Sequence, residues 1–117
     1  MIIFRNKKNG EDMFPGDVMK IANEIMACAE NWSSFKIGKS GMTAGERFCE
    51  PDYNGVYDGI IVVYESTSAD NVSKMESSLI NFFMDNEKCD NTKDGECSVN
   101  DTMADSDEYI VYVVYKL

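Results

Sequence analysis

Lys39, Ser40, Arg47 and Glu76 are the residues whose types and spacing point to chemistry. The first three lie in FKIGKSGMTAGERF, residues 35–48. A guanidinium donates from a fixed fork that matches the oxygens of a phosphate or carboxylate, and a nearby lysine adds a point charge. The Ser40 hydroxyl and the backbone amides of a glycine-rich turn add neutral donors. The stretch therefore reads either as the wall of an oxyanion-handling site or as a basic turn in which Arg47 pairs with Glu46, Glu50 or Asp52. It is not a P-loop, because the GxxxxGK[ST] order is absent.

Glu76 interrupts an apolar stripe formed by Val72, Met75, Leu79, Phe82 and Phe83. A carboxylate there costs free energy unless it reaches water, a counter-charge or a cation. Two readings stay open. At the edge of the stripe the side chain extends to solvent. Facing a cleft, it holds a divalent ion or pairs with Arg47. Magnesium takes few carboxylates and several waters, so one glutamate suffices when a phosphate is present.

Further phenols come from the last segment, EYIVYVVYKL, where strand alternation sets Tyr109 and Tyr115 on one face and Tyr112 on the other. Their ordinary role is that of half-buried strand formers.

The order KIGKS, ERF, a strand, then ExxLIxFF resembles the GIY-YIG endonuclease fold over residues 34–84, in the branch whose second motif reads KIG. The resemblance implies that Gly38 is the motif glycine, Arg47 the electrophilic arginine, and Glu76 the ligand of Mg2+ or Mn2+. Lys39 would then assist Arg47, and Ser40 closes the motif. The family's first strand carries a tyrosine close before the second; here Met1–Arg5 has none and a helix intervenes. Lys36 stands where the second motif tyrosine often sits. A phenol from Tyr109 or Tyr112 would complete the set in a permuted order.

Charge argues for a different use of the same scaffold. The 117 residues carry 11 Lys+Arg against 21 Asp+Glu, a net −10, with no histidine to serve as a base. Residues 85–108 supply −7 of it, the net of two lysines and nine acids: Asp85, Glu87, Asp90, Asp94, Glu96, Asp101, Asp105, Asp107 and Glu108. Such a surface repels a nucleic-acid backbone and suits a basic protein partner. Resemblance and charge together imply a non-catalytic binder needing no cofactor. That binder would be an inhibitor, of phage or mobile-element type, directed at a basic nuclease or toxin; the metal-dependent endonuclease is the alternative.

The elements that must position these residues follow from periodicity. The sequence predicts a single α+β domain over residues 1–117, ordered β-α-β-β-α-β, with a small mixed sheet and two main helices. Met1–Arg5 is the first strand. A helix runs from Pro15 to about residue 31 on the spacing of Val18, Ile21, Ala22, Ile25, Met26 and Ala29. Ser34–Ile37 is a short strand, Gly38–Gly45 a loop, and Ala44–Cys49 a helical turn. Gly59–Glu65 is a central strand, and a helix capped by Ser68 or Asp70 continues to Met84. Residues 85–108 are expected as a mobile acidic loop. Four cysteines without a CxxC pair read as reduced thiols rather than a zinc site. Cys89 and Cys97 are able to bridge under oxidising conditions. No segment has the length of a membrane span, and the expected compartment is cytoplasmic.

Overall fold

The computed structural model describes residues 15–91 and 108–117. Within them the chain is an α+β domain of three helices and a three-stranded sheet: α1 (Pro15–Ala29), β1 (Ser34–Ser40), α2 (Ala44–Phe48), β2 (Gly59–Ser66), α3 (Ala69–Phe82) and β3 (Tyr109–Lys116). The expected strand Met1–Arg5 lies outside the described residues.

The strand order is β1-β3-β2, and both pairings are antiparallel. The expectation of a mixed sheet is thereby corrected for the described strands; parallel pairing is confined to one isolated bridge between Phe35 and Cys89. The centre is also corrected. β3 lies between the other two strands, whereas the run GIIVVYE was expected there. Both runs are continuous and apolar because both are covered on two faces.

Each helix forms for a local reason. Proline at the first position of α1 forfeits only an amide that the first turn would leave unpaired. Ile21, Ala22, Ile25 and Ala29 are buried, while Met26, at 47% exposure, lies off the packed face. In α3 the Ser68 hydroxyl accepts from Asn71 N–H at 3.2 Å, so Ser68 is the cap. Val72, Met75, Leu79 and Ile80 follow one face inward. The helix ends before Phe83, which is buried, whereas Phe82 is exposed.

Alternation on the strands divides the interior into two layers. Phe35 and Ile37 of β1, Ile61 and Val63 of β2, and Tyr109, Val111 and Val113 of β3 pack against α1 and α3. Ile60 and Val62, with Ile110, Tyr112 and Val114, form a smaller cluster with Tyr53 beneath α2 and the 49–58 connection. A bulge between Val62 and Tyr64 turns both Val63 and Tyr64 toward the larger core. Trp32 stacks flat on Tyr115, with centroids 4.7 Å apart, and closes that core at one end. Among the described residues no helix is long and apolar enough to cross a membrane.

Candidate functional site: two charge clusters on opposite faces of the sheet

The KIGKS segment is strand throughout, not strand followed by loop. That single correction decides where its side chains go. Gly38 pairs with Tyr112 and Ser40 with Ile110, so both face the layer of α2. Lys39 pairs with Val111 and faces α1 and α3. Adjacent residues on a strand serve opposite faces.

On the helical face, Lys39 meets Glu76. Their side chains are 4% and 3% exposed, with Nζ 3.9 Å from Oε1. The ammonium also donates to Ser73 Oγ at 3.2 Å, one turn earlier on α3. Glu76 therefore neither extends to solvent nor pairs with Arg47. Its neighbour is a cation already, which does not fit a site for Mg2+ or Mn2+. The sheet lies between Glu76 and Arg47, and the expected convergence of positions 38, 47 and 76 does not occur.

On the other face, Arg47 is delivered by α2. Thr43 caps this short helix in a reciprocal box: Glu46 N–H donates to Thr43 Oγ1, and Thr43 N–H donates to the Glu46 carboxylate. Arg47 then donates through both terminal nitrogens to the two oxygens of Asp52, each at 2.9 Å. Of the three acids considered as partners, Asp52 is the one engaged. The guanidinium lies 4.3 Å above the Tyr53 ring and 5.9 Å from that of Tyr112. The two phenolic oxygens are 2.7 Å apart and buried. The Tyr112 ring crosses over Gly38, where any β-carbon would overlap it.

Gly38, Arg47 and Tyr112 are thus on the same face of the sheet. Tyr109 is not; it belongs to the helical core. Tyr53 is the member that sequence reasoning missed. It sits in a glycine- and aspartate-rich connection, residues 51–59, whose composition reads as a surface turn. The available signal was its spacing from Tyr57, since an i, i+4 aromatic pair in a turn-rich segment argues for packing. The two rings do meet edge to face at 5.8 Å.

Each charge in this cluster is held in its ordinary state. The hydrogen bonds from Arg47 pull the Asp52 carboxyl below its usual range, and Asp52 in turn raises the arginine, against partial burial. Burial raises both Tyr53 and Tyr112. At neutral pH the cluster holds a guanidinium already bound by Asp52 and two protonated phenols, one of which donates to the other.

A raised phenol is stabilising below its unfolded value and loses that contribution as pH climbs toward the folded value. Stability is therefore expected to fall as pH climbs above 10, the ordinary value for both phenols, with a limiting slope of at most about 1.4 kcal/mol per pH unit for each of the two. Urea titrations from pH 9 to 11 measure the slope. Tyr112→Phe, which keeps the ring, should flatten it; an unchanged slope would assign the effect elsewhere.

The acidic stretch divides. Asp85, Glu87 and Glu108 are exposed, and Asp90 is half-buried, accepting from the Tyr57 hydroxyl at 2.8 Å. Asp94, Glu96, Asp101, Asp105 and Asp107 lie outside the described residues. Residues 85–91, expected as the start of a mobile loop, are instead fixed by turns and by hydrogen bonds to β1. Cys89 is a buried thiol, and Cys97 lies outside the described residues. Among the described residues no three acidic or cysteine side chains gather as a metal site would require. Compared with protein-family models, curated proteins and solved structures, the chain matches none.

Proposed function

We propose that this protein acts by binding, docking its exposed carboxylates on a basic partner that itself handles nucleic acid, of nuclease or toxin type. The observation that carries this reading is the fate of the two candidate catalytic charges. Glu76 is neutralised by Lys39 inside the helical layer, and Arg47 is clamped by Asp52 on the opposite face. Neither is poised against the other, while Asp85, Glu87 and Glu108 face solvent. A surface of this sign steers a basic partner and repels a phosphate backbone.

Affinity capture from a lysate of the source cells, with the nine acids between 85 and 108 changed to Asn and Gln in a parallel arm, tests the reading. The intact chain should retain a basic protein at low salt and release it as ionic strength rises. Retention that ignores both salt and neutralisation would overturn acidic docking.

One observation favours a second reading, a phosphodiesterase of the GIY-YIG type: Gly38, Arg47, Tyr53 and Tyr112 share one face. In it the guanidinium stabilises charge developing on phosphorus oxygens, and a phenol orients the attacking water. The metal that the resemblance implies has no place at Glu76. Plasmid nicking with Mg2+ or Mn2+, comparing the intact chain with Arg47→Ala and Tyr112→Phe, separates the two. Nicking by the intact chain that both variants lose would replace the binding reading.

A further inference from the structure

Among the described residues, the outer edge of β1 is covered by the segment 88–91 rather than by a strand. Phe35 N–H donates to Lys88 C=O at 2.8 Å, and Cys89 forms the single parallel bridge with Phe35. Two residues on, the side chain of Asn91 replaces a strand altogether. Its Oδ1 accepts from Ile37 N–H at 2.7 Å, and its Nδ2 donates to Ile37 C=O at 2.9 Å. One carboxamide thus satisfies both main-chain groups that an edge residue leaves open.

The same short segment is tied at two further points in different layers. Lys88 Nζ donates to Ala29 C=O at 2.7 Å, at the end of α1 where a cation suits the helix dipole. Asp90 accepts from the Tyr57 hydroxyl on the α2 side. Most of these ties run through side chains, and one buried side chain, Cys89, enters the main core from the segment's bridge. β1 and β2, by contrast, are each held along their length by the ladder with β3. A short piece tied to the sheet edge chiefly through side chains opens at lower free energy than a strand held by a continuous ladder.

From this contrast we infer that Lys88–Asn91 is a detachable strap, which opens while the sheet stays folded and thereby gates the outer edge of β1. Opening uncovers the main-chain groups of Phe35 and Ile37 that Lys88 and Asn91 cover. The inference does not rest on the proposed function: it concerns the sheet edge, and of the nine acids between 85 and 108 it uses Asp90 alone, as a tie to Tyr57.

Cys89, fully buried when the strap is closed, is its reporter. With Cys28, Cys49 and Cys97 changed to Ser, labelling of the remaining thiol in native buffer reads the opening rate and population. Tyr57→Phe removes the Asp90 tie and should speed labelling about tenfold; Asn91→Ala should speed it about 10- to 100-fold. Val63→Ala, in the core beneath β2 on the far side of β3, lowers global stability but leaves the strap's ties intact, so Cys89 labelling should be unchanged. Labelling that Val63→Ala accelerates in proportion to the lost global stability would show that Cys89 is reached only by whole-domain unfolding, and would overturn the strap. Labelling indifferent to Tyr57→Phe and Asn91→Ala would overturn it as well.

Discussion

Glu76→Leu is expected to lower the unfolding free energy by about 3–5 kcal/mol, and Lys39→Met by a similar amount, whereas the two together should restore most of the loss. Both side chains are almost wholly buried, at 3% and 4% exposure, so solvent does not screen what remains when one is removed. Leucine at 76 takes the carboxylate away from a buried ammonium that still donates to Ser73. Methionine at 39 takes the ammonium away from a buried carboxylate. The double replacement removes both desolvated charges and fills similar volume among Val72, Met75 and Leu79. Urea unfolding followed by the lone tryptophan, Trp32, measures all four corners of the cycle. A double variant as unstable as the sum of the singles would show that the two charges are satisfied separately. The result also bears on function. Loss of any activity in a Glu76 variant would report a damaged core, and for that reason the nicking comparison rests on Arg47 and Tyr112.

Glu76 illustrates how far a sequence carries. Its place in the apolar stripe of α3 is legible from spacing, and so is the anomaly of a carboxylate there. Its partner is not, because the partner is set by long-range pairing. Lys39 reaches the helical layer only if β1 runs past Ile37, and the following glycine reads as a turn. The alternation Phe35, Ile37, Lys39 was the available signal, outweighed by the composition of GKSG. Arg47 is the converse case. Asp52 stands five residues away, within the reach of a short helix and a turn, and local chemistry names it among three candidates. The choice between β2 and β3 for the central position was beyond reach, since both are long apolar runs. Composition does not reveal the strap: Asn86 to Asn91 is polar, but Cys89 and Asn91 are buried, and their roles depend on an edge that exists only once β1 has found β3.

The glycine that reads as a turn former has its own test. In a strand interior, Gly→Ala ordinarily stabilises by about 0.5–1 kcal/mol, through lost freedom in the unfolded chain. At Gly38 the sign should invert, to a loss of about 1–3 kcal/mol, because a β-carbon there overlaps the Tyr112 ring. That ring cannot withdraw easily. It is 1% exposed, and its hydroxyl is shared with Tyr53 beneath the Arg47 guanidinium. Gly59 provides the comparison, since Tyr115 crosses over it in the same way. Tyr115, however, is only half-buried near the end of β3, so Gly59→Ala should be milder and should disturb instead the stack on Trp32, visible in its fluorescence. Combining Gly38→Ala with Tyr112→Val removes the overlap, and the pair should be less damaging than the sum of the singles. A Gly38→Ala variant as stable as the parent would mean that the ring swings aside freely. The Arg47, Tyr53 and Tyr112 cluster would then be a mobile surface feature, and the case for any preorganised donor site on that face would fall with it.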